Sequence, residues 1–595
     1  MKKKKQIKHK LISVLVAIAL IVIILIVAFG KQIKQSIASG EEINARWFLA
    51  LIYPEKYSYS TEYADMNEYF QLFAPDDVAI ILGDNKLTDK GKVINGSVYF
   101  PLDTAENIFT DRFYYNEDEK VLMYTTSESI YEVDVESDTA GYEYAGNYTS
   151  TSYFPAKLVG EEIYVALDYV KMFSNFEYSF FESPYRVQVY NSWDTYKAAD
   201  MLKNTEVRYQ GGIKSDILTT VNEGDRVQIL EVMETWTKIK TADGFFGYVE
   251  NNTLSEPYDA TDTPVSGAYD PVEDYGTVPT IMSDVKVILG WHQIYFADDG
   301  TNLESVLTPG SCVNVVSPTW FYINSESGTF DSYASSDYVT YAHNNGYKVW
   351  ALVEDMTNDF DEYALFSSSV NRKALIDNLI SSVKAVGADG INVDCEKVGS
   401  QTGPHFVQFL RELAIETRKN GLVLSVDNYV QNEGNLYYDL HEQGIICDYV
   451  IIMGYDEHWA GSEPGSVASI GFVEGGISSA LSAGVPADKL INAVPFYTRI
   501  WKTEGSENTS EAVGLDTCQE WLNNRGITPT WNEECCQYYA EYQDGTASYK
   551  VWVEDISSLN AKLTMMQGYN IAGCAAWKLG LGNDEAWTSV GIYMN

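Results

Sequence analysis

The sequence predicts an α/β fold with parallel strands for its carboxyl-terminal half, and two observations predict it. The first is the alternation in residues 389–396, DGINVDCE, where apolar Ile391, Val393 and Cys395 interleave with Asn392, Asp394 and Glu396. A period of two sends those sets to opposite faces of one strand. The second is rhythm. A helix-like stretch at 371–386 and a turn at Gly387-Ala388-Asp389 precede the strand, and a second helix-like stretch at 405–419 follows it, which reads as βαβ. In a parallel barrel alternate strand residues enter the lumen, and polar ones at the carboxyl ends sit where such barrels do their chemistry.

A strand with one face in water would also alternate, since charged residues usually mark a solvated face. The clustering separates the two readings. Two residues of rise put Asp394 and Glu396 about 6.6 Å apart. Carboxylates that close perturb each other, so one can stay protonated near neutrality and serve as a general acid.

These residues resemble the DGxDxDxE signature of glycoside hydrolase family 18, the chitinases and their peptidoglycan-cleaving relatives. Three further segments match in the family's order. Met453-Gly454-Tyr455-Asp456 resembles its M-x-Y-D motif of strand six, Pro495 to Arg499 (PFYTR) its PFYGR segment of strand seven, and Ala575-Ala576-Trp577 the strand-eight end with a sugar-stacking tryptophan. A lone motif would be far weaker. The resemblance covers roughly 284–595 and implies a (β/α)8 TIM barrel, a length that suits one with insertions.

The resemblance also implies a mechanism, because this family is a substrate-assisted exception to the usual carboxylate pair. Glu396 would protonate the glycosidic oxygen while the sugar's 2-acetamido carbonyl attacks the anomeric carbon with retention. Asp394 would hold the acetamido NH and stabilise the oxazolinium, and Tyr455 would hold the acetamido oxygen. Trp577 would form the apolar floor beneath the pyranose. Asp456, Tyr497 and Arg499 are expected substrate contacts. Asn392 stands where the chitinase signature has aspartate; it can hydrogen-bond Asp394 but exerts no like-charge push. The same asparagine form is familiar in the spore-cortex-lytic branch, which tilts the expected substrate from chitin toward peptidoglycan.

Composition sets the context. The 595 residues suggest about four domains and are 45% hydrophobic, enough for substantial cores. Six lysines lie within positions 2–10, and 11–30 is apolar apart from Ser13. Twenty such residues suffice to span a bilayer, whereas a signal-peptide core usually runs ~7–15. An uncleaved anchor is expected, with a cut near Ser36-Ile37-Ala38-Ser39 as the alternative. The lysines place 1–10 in the cytoplasm and the remainder outside. A formal charge of −43 argues against nucleic acid as a partner. Seven cysteines, all from Cys312 onward, form no regular framework. Cys535 or Cys536 is an available partner for Cys518, while Cys395, Cys447 and Cys574 fall in predicted strands as small core residues.

Ahead of the barrel, a juxtamembrane segment (31–75) leads to a repeat over 76–195. Tyr99, Leu102 and Asp103 recur as Tyr164, Leu167 and Asp168, each unit reading strand, short helix, hairpin. The shape resembles the amine-oxidase amino-terminal-like domain class. That name suggests copper, but no histidine lies in the module, so neither metal nor cofactor is expected. Residues 200–256 hold short β-prone runs between Gly and Asp turns and resemble a bacterial SH3 domain through Val207-Arg208, Gly224-Asp225, Trp236 and the Asp243 to Val249 end. Such domains often hold wall peptides; Trp236 itself reads as core. A linker rich in Asp, Pro, Gly and Thr is expected at 257–283. The expectation is a membrane-anchored, outward-facing hydrolase of β-1,4 bonds in N-acetylglucosamine-containing glycans, with peptidoglycan as the expected substrate. The alternatives are a chitin or chitooligosaccharide hydrolase and a non-catalytic wall scaffold.

Overall fold

Eight parallel strands close into a barrel: β1 (Val287–His292), β2 (Val315–Ser325), β3 (Lys348–Glu354), β4 (Gly390–Asp394), β5 (Val423–Tyr429), β6 (Tyr449–Met453), β7 (Leu490–Pro495) and β8 (Gly573–Trp577). They pair in sequence order, and Val287 lies beside Gly573 at the seam, so no edge remains. This computed structural model describes residues 2–39, 43–262, 274–276, 285–296, 303–307 and 311–594.

The helices flanking β4 are Ser369–Val386 and Gly403–Asn420, within two residues of their predicted limits. The first starts where the Ser368 hydroxyl accepts the Asn371 N–H and stops at Gly387, whose φ of +78° suits a residue without Cβ. Gly390 opens β4 because a Cβ there would lie 2.7 Å from the Val423 carbonyl oxygen and 2.9 Å from the Trp350 ring. Both faces of β4 are buried. Ile391 and Val393 pack outward among Leu379, Phe406 and Leu410, while the lumen is filled by Trp291, Trp350, Leu352, Tyr449 and Ile451. The polar face of β4 therefore enters a packed interior, where an unpartnered polar group is costly.

Glu396 lies two residues beyond the end of β4, rather than within one continuous strand as the alternation predicted. The physical reason is that the Asp355 carboxylate accepts the N–H groups of Glu396 (2.8 Å) and Lys397 (3.1 Å), which takes those donors out of any sheet. Cys395 also follows the strand, and Cys447 precedes β6; both are nevertheless buried, as is Cys574 within β8. All seven cysteines are unpaired, Cys518, Cys535 and Cys536 included.

Between β7 and β8 the chain builds an antiparallel sheet from Tyr497–Glu504, Glu507–Gly514, Thr530–Asn532, Gln537–Asp544 and Ala547–Val553. Helix Leu515–Arg525 packs on it through Cys518 and Leu522 against Ile500, Val551 and Val553. The PFYTR segment thus crosses from a barrel strand into this insertion, and Tyr497 and Arg499 belong to the insertion.

The chain divides into two units, Met1–Thr104 with Asn175–Ala268, and Ala105–Ser174 with Tyr269–Asn595. The repeat expected over 76–195 is shared between them. Its halves read strand, short helix, hairpin: Ser97–Pro101, Leu102–Ile108 and Phe113–Asn116 with Val121–Thr125, then Glu162–Ala166, Leu167–Val170 and Glu177–Glu182 with Tyr185–Tyr190. Residues 105–174 join the barrel's unit for an electrostatic reason. Buried Glu442 accepts Arg112 Nε (3.0 Å) and Arg411 Nε (2.7 Å), tying the 105–174 segment to two barrel helices.

In the other unit, strands from Tyr196–Asp200 to Tyr258–Ala260 make one seven-stranded sheet over a core of Val207, Val221, Val227, Ile239 and Val249. Trp236, expected in that core, is only half-buried. The expected linker falls largely outside the described residues; of its described part, Tyr258–Ala260 belongs to this sheet and Tyr275 is buried in the core of the barrel's unit. Helix Lys2–Ser39 bends by 60° between Val14–Ile24 and Ile26–Ala38. Neither arm alone is long and apolar enough to cross a membrane; together they meet that length and composition.

Candidate active site

The carboxyl ends of the barrel strands gather five acidic side chains. Glu354 ends β3 with Asp355 just beyond, Asp394 ends β4 with Glu396 just beyond, and Asp427 lies on β5. Asn392 sits one layer below the mouth with no exposed surface. Its Oδ1 accepts from Trp291 Nε1 (2.9 Å) and Ser317 Oγ (3.0 Å), and its Nδ2 donates to Asp427 Oδ1 (2.8 Å). That wiring makes Asn392 a spacer within the lumen rather than a surface open to ligand.

Asp394 is 8% exposed, and its Oδ1 accepts no hydrogen bond. Burial raises its carboxyl well above the usual range, and Glu396, Asp427, Asp355 and Glu354 add like-charge pushes. Above it, half-buried Glu396 is raised to about 7, first by burial, with Asp355, Asp456 and Glu354 adding to the rise against a hydrogen bond from Tyr429. Asp355, pushed up to about 6 by burial, fixes the backbone under Glu396 as described above. Close carboxyls in a dry site titrate together, so the cluster retains protons near neutrality.

The aromatic walls come from other strands. Trp291 on β1 lies edge-on to Tyr455 (6.5 Å between ring centres) and tilted against Trp577 at the end of β8 (5.9 Å). Tyr455 and Trp577 are half-buried, their rings packed on the lumen core. Tyr497 donates its hydroxyl to Asp456 Oδ1 (2.6 Å), and Arg499 Nη2 stands 3.9 Å from the same oxygen. Asp456, at φ +56°, turns out toward solvent. Exposed Tyr295, Phe296, Tyr429 and Trp459 follow the ends of β1, β5 and β6 or lie at them. A flat ring beside acidic groups matches a pyranose, with apolar faces and hydroxylated edges.

Against known families, residues 293–582 match the model described as glycosyl hydrolases family 18. The barrel is a family 18 glycosyl hydrolase domain. Residues 203–255 match the bacterial SH3 domain. The provisionally named sporulation-specific glycosylase YdhD of Bacillus subtilis (strain 168) is 30% identical over 234 residues, 37% of this chain and 54% of YdhD. The cortical fragment-lytic enzyme of the same organism is 26% identical over 234 residues, 38% of this chain and 54% of that enzyme. The chain therefore spans about half the length of these curated relatives. Among solved structures, a chitinase from Chromobacterium violaceum ATCC 12472 aligns over 52% of this chain and 98% of its own, at 22% identity and a TM-score of 0.46.

The family 18 domain brings Asp394, Glu396, Tyr455 and Trp577 to one barrel mouth and sets Asp456, Tyr497 and Arg499 together at its side. Sequence reasoning missed Asp355, Glu354, Asp427, Tyr429 and Trp291. For β5 a signal was present: Ser425, Asp427 and Tyr429 in VLSVDNY alternate as the β4 residues do.

Proposed function

We propose that this protein is a retaining N-acetylglucosaminidase that cuts peptidoglycan glycan strands outside the cell, held at the membrane by its amino-terminal helix. The observation that carries the chemistry is the pairing of a half-buried Glu396, raised to about 7, with a buried Asp394 whose Oδ1 is uncommitted. Glu396 keeps a proton near neutrality and gives it to the glycosidic oxygen. The sugar's acetamido oxygen attacks the anomeric carbon as the bond to the leaving oxygen breaks. Asp394 Oδ1 accepts the acetamido N–H, and its charge offsets the positive oxazolinium. Tyr455 orients the acetamido oxygen from the far side, over the Trp291–Trp577 floor. Water then opens the ring, with Glu396 taking a proton back.

Three features favour wall glycan over chitin: the bacterial SH3 domain, which holds wall peptide in this reading; asparagine at 392; and relatives named for sporulation and cortical fragments. The test is a product assay on purified peptidoglycan beside N-acetylglucosamine oligomers, with and without a thiazoline mimic of the oxazolinium, which should inhibit as a transition-state-like ligand. Fragments ending in reducing N-acetylglucosamine are expected. Fragments ending in reducing N-acetylmuramic acid would move the cut to the other bond, and cleavage of chitin alone would remove the wall assignment.

Asp394→Asn should lower kcat by about a hundredfold while KM changes little, because a charge that matters as the oxazolinium forms contributes little to ground-state binding. Steady-state kinetics on N-acetylglucosamine oligomers decides this; weaker binding at normal kcat would contradict the role.

A further inference from the structure

Asp427 is a buried carboxyl that the chemistry above does not use. It is 3% exposed and accepts hydrogen bonds from Asn392 Nδ2, at 2.8 Å, and from the Trp291 indole. The β4–β5 register pairs Asn392 with Ser425 and Val393 with Val426, so the next step sets Asp394 abreast of Asp427, both facing the lumen. Facing Asp427 are Asn392 and Asp394 from β4, Glu396 just beyond it, Trp291 from β1 and Tyr455 beyond β6. None of these is cationic, so among the described residues no basic group balances the pair. Asp394 Oδ1, meanwhile, is buried without a hydrogen-bonding partner. Two carboxyls that close and that dry cannot both ionise.

We propose that Asp427 supplies, from the neighbouring strand, the second lumen carboxyl that asparagine at 392 removes from β4, and that it acts as a positioning residue sharing one proton with Asp394. The inference rests on the proposed glycosidase reading. In the resting site the proton sits between the two carboxyls, so less negative charge faces Glu396. As positive charge forms on the sugar, the proton passes wholly to Asp427 and leaves Asp394 anionic beside the acetamido group. Asn392 fixes the geometry: its Oδ1 is held by Trp291 and Ser317, so its Nδ2 can point only at Asp427.

Four full-length proteins test this: wild type, Asp427→Asn, Asn392→Asp, and the double swap. Asp427→Asn should lower kcat on N-acetylglucosamine oligomers by at least about tenfold, leave KM within about twofold and shift the pH profile, since one unit of pKa corresponds to about tenfold in protonation. The double swap returns a carboxyl to the pair and should recover most of the loss. A residue that merely supports the fold would lower the melting temperature without that recovery or pH shift. Carboxyl 13C NMR titration reads the shared proton without turnover. Asp394 should titrate at least about one unit lower in Asp427→Asn and return upward in the double swap. An unchanged Asp394 titration, or an unchanged kcat and pH profile in Asp427→Asn, overturns the inference. A wild type that cleaves no glycan yet gives the expected titration shifts would instead overturn the glycosidase reading and leave proton sharing standing.

Discussion

Glu396→Gln should reduce hydrolysis by about a hundredfold to ten-thousandfold, the usual worth of a positioned general acid. The amide keeps the shape of the neutral carboxyl but has no proton to give the leaving oxygen. Stability should not fall with activity. A carboxyl raised in the folded state to about 7 stabilises the fold below its ordinary range near 4.5, and that contribution is lost as pH rises through 7. The glutamine variant never has to ionise, so relative to wild type its melting temperature should hold or improve on going from pH 5 to pH 8. Wild-type kcat should show an alkaline limb near 7 that the variant's residual activity lacks. Thermal melts and pH-rate profiles on the two proteins decide the matter. Turnover near wild type with an unchanged melt would mean the acid is elsewhere.

The largest expected stability effect lies far from the chemistry, at Glu442. Burial alone would raise this carboxyl, but the Arg411 and Arg112 guanidiniums overcome burial and hold it at about 2. Arg112 and Arg411 are themselves buried, and Glu442 bonds both. Glu442→Gln would strand two buried cations against a neutral amide, at a cost of about 3–5 kcal/mol. Because the folded carboxyl is depressed below its ordinary value near 4.5, its stabilising contribution is complete above about 4.5 and is lost as pH falls toward 2. Urea unfolding at pH 7 should report the loss, and the gap between wild type and variant should close on acidification. A difference under about 1 kcal/mol at pH 7 would remove Glu442 as the tie for residues 105–174. Well below the variant's melting temperature, glycan cleavage should stay near wild type, since Glu442 lies outside the catalytic cluster.

The residues legible in the sequence were those whose pattern is local. Alternation in 389–396 separated Ile391 and Val393 from Asn392 and Asp394, and the fold honours it because one face meets helices and the other the lumen. Helix limits on either side of β4 came within two residues because local residues mark such ends: Ser368 and Gly387 bound the first helix, Pro404 and Gly421 the second. Glu396 was misplaced in secondary structure, because the cause that ends the strand, the Asp355 carboxylate on its backbone N–H, is 41 residues away in the chain. Trp236 was misjudged for a related reason: whether a tryptophan is core depends on what covers the sheet.

By itself, then, the sequence determined the parallel α/β architecture, the paired carboxyls Asp394 and Glu396 at one strand end, and the order of the four motifs, since periodicity and short spacing are properties of the chain. Only the tertiary structure decided which groups tune them. Barrel closure brings Asp355, Asp427, Trp291 and Tyr455 from four other strands or their ends to one mouth, and burial there raises Asp394 and Glu396. Desolvation and like-charge repulsion depend on distance through space, and a linear chain does not carry that distance until it has folded.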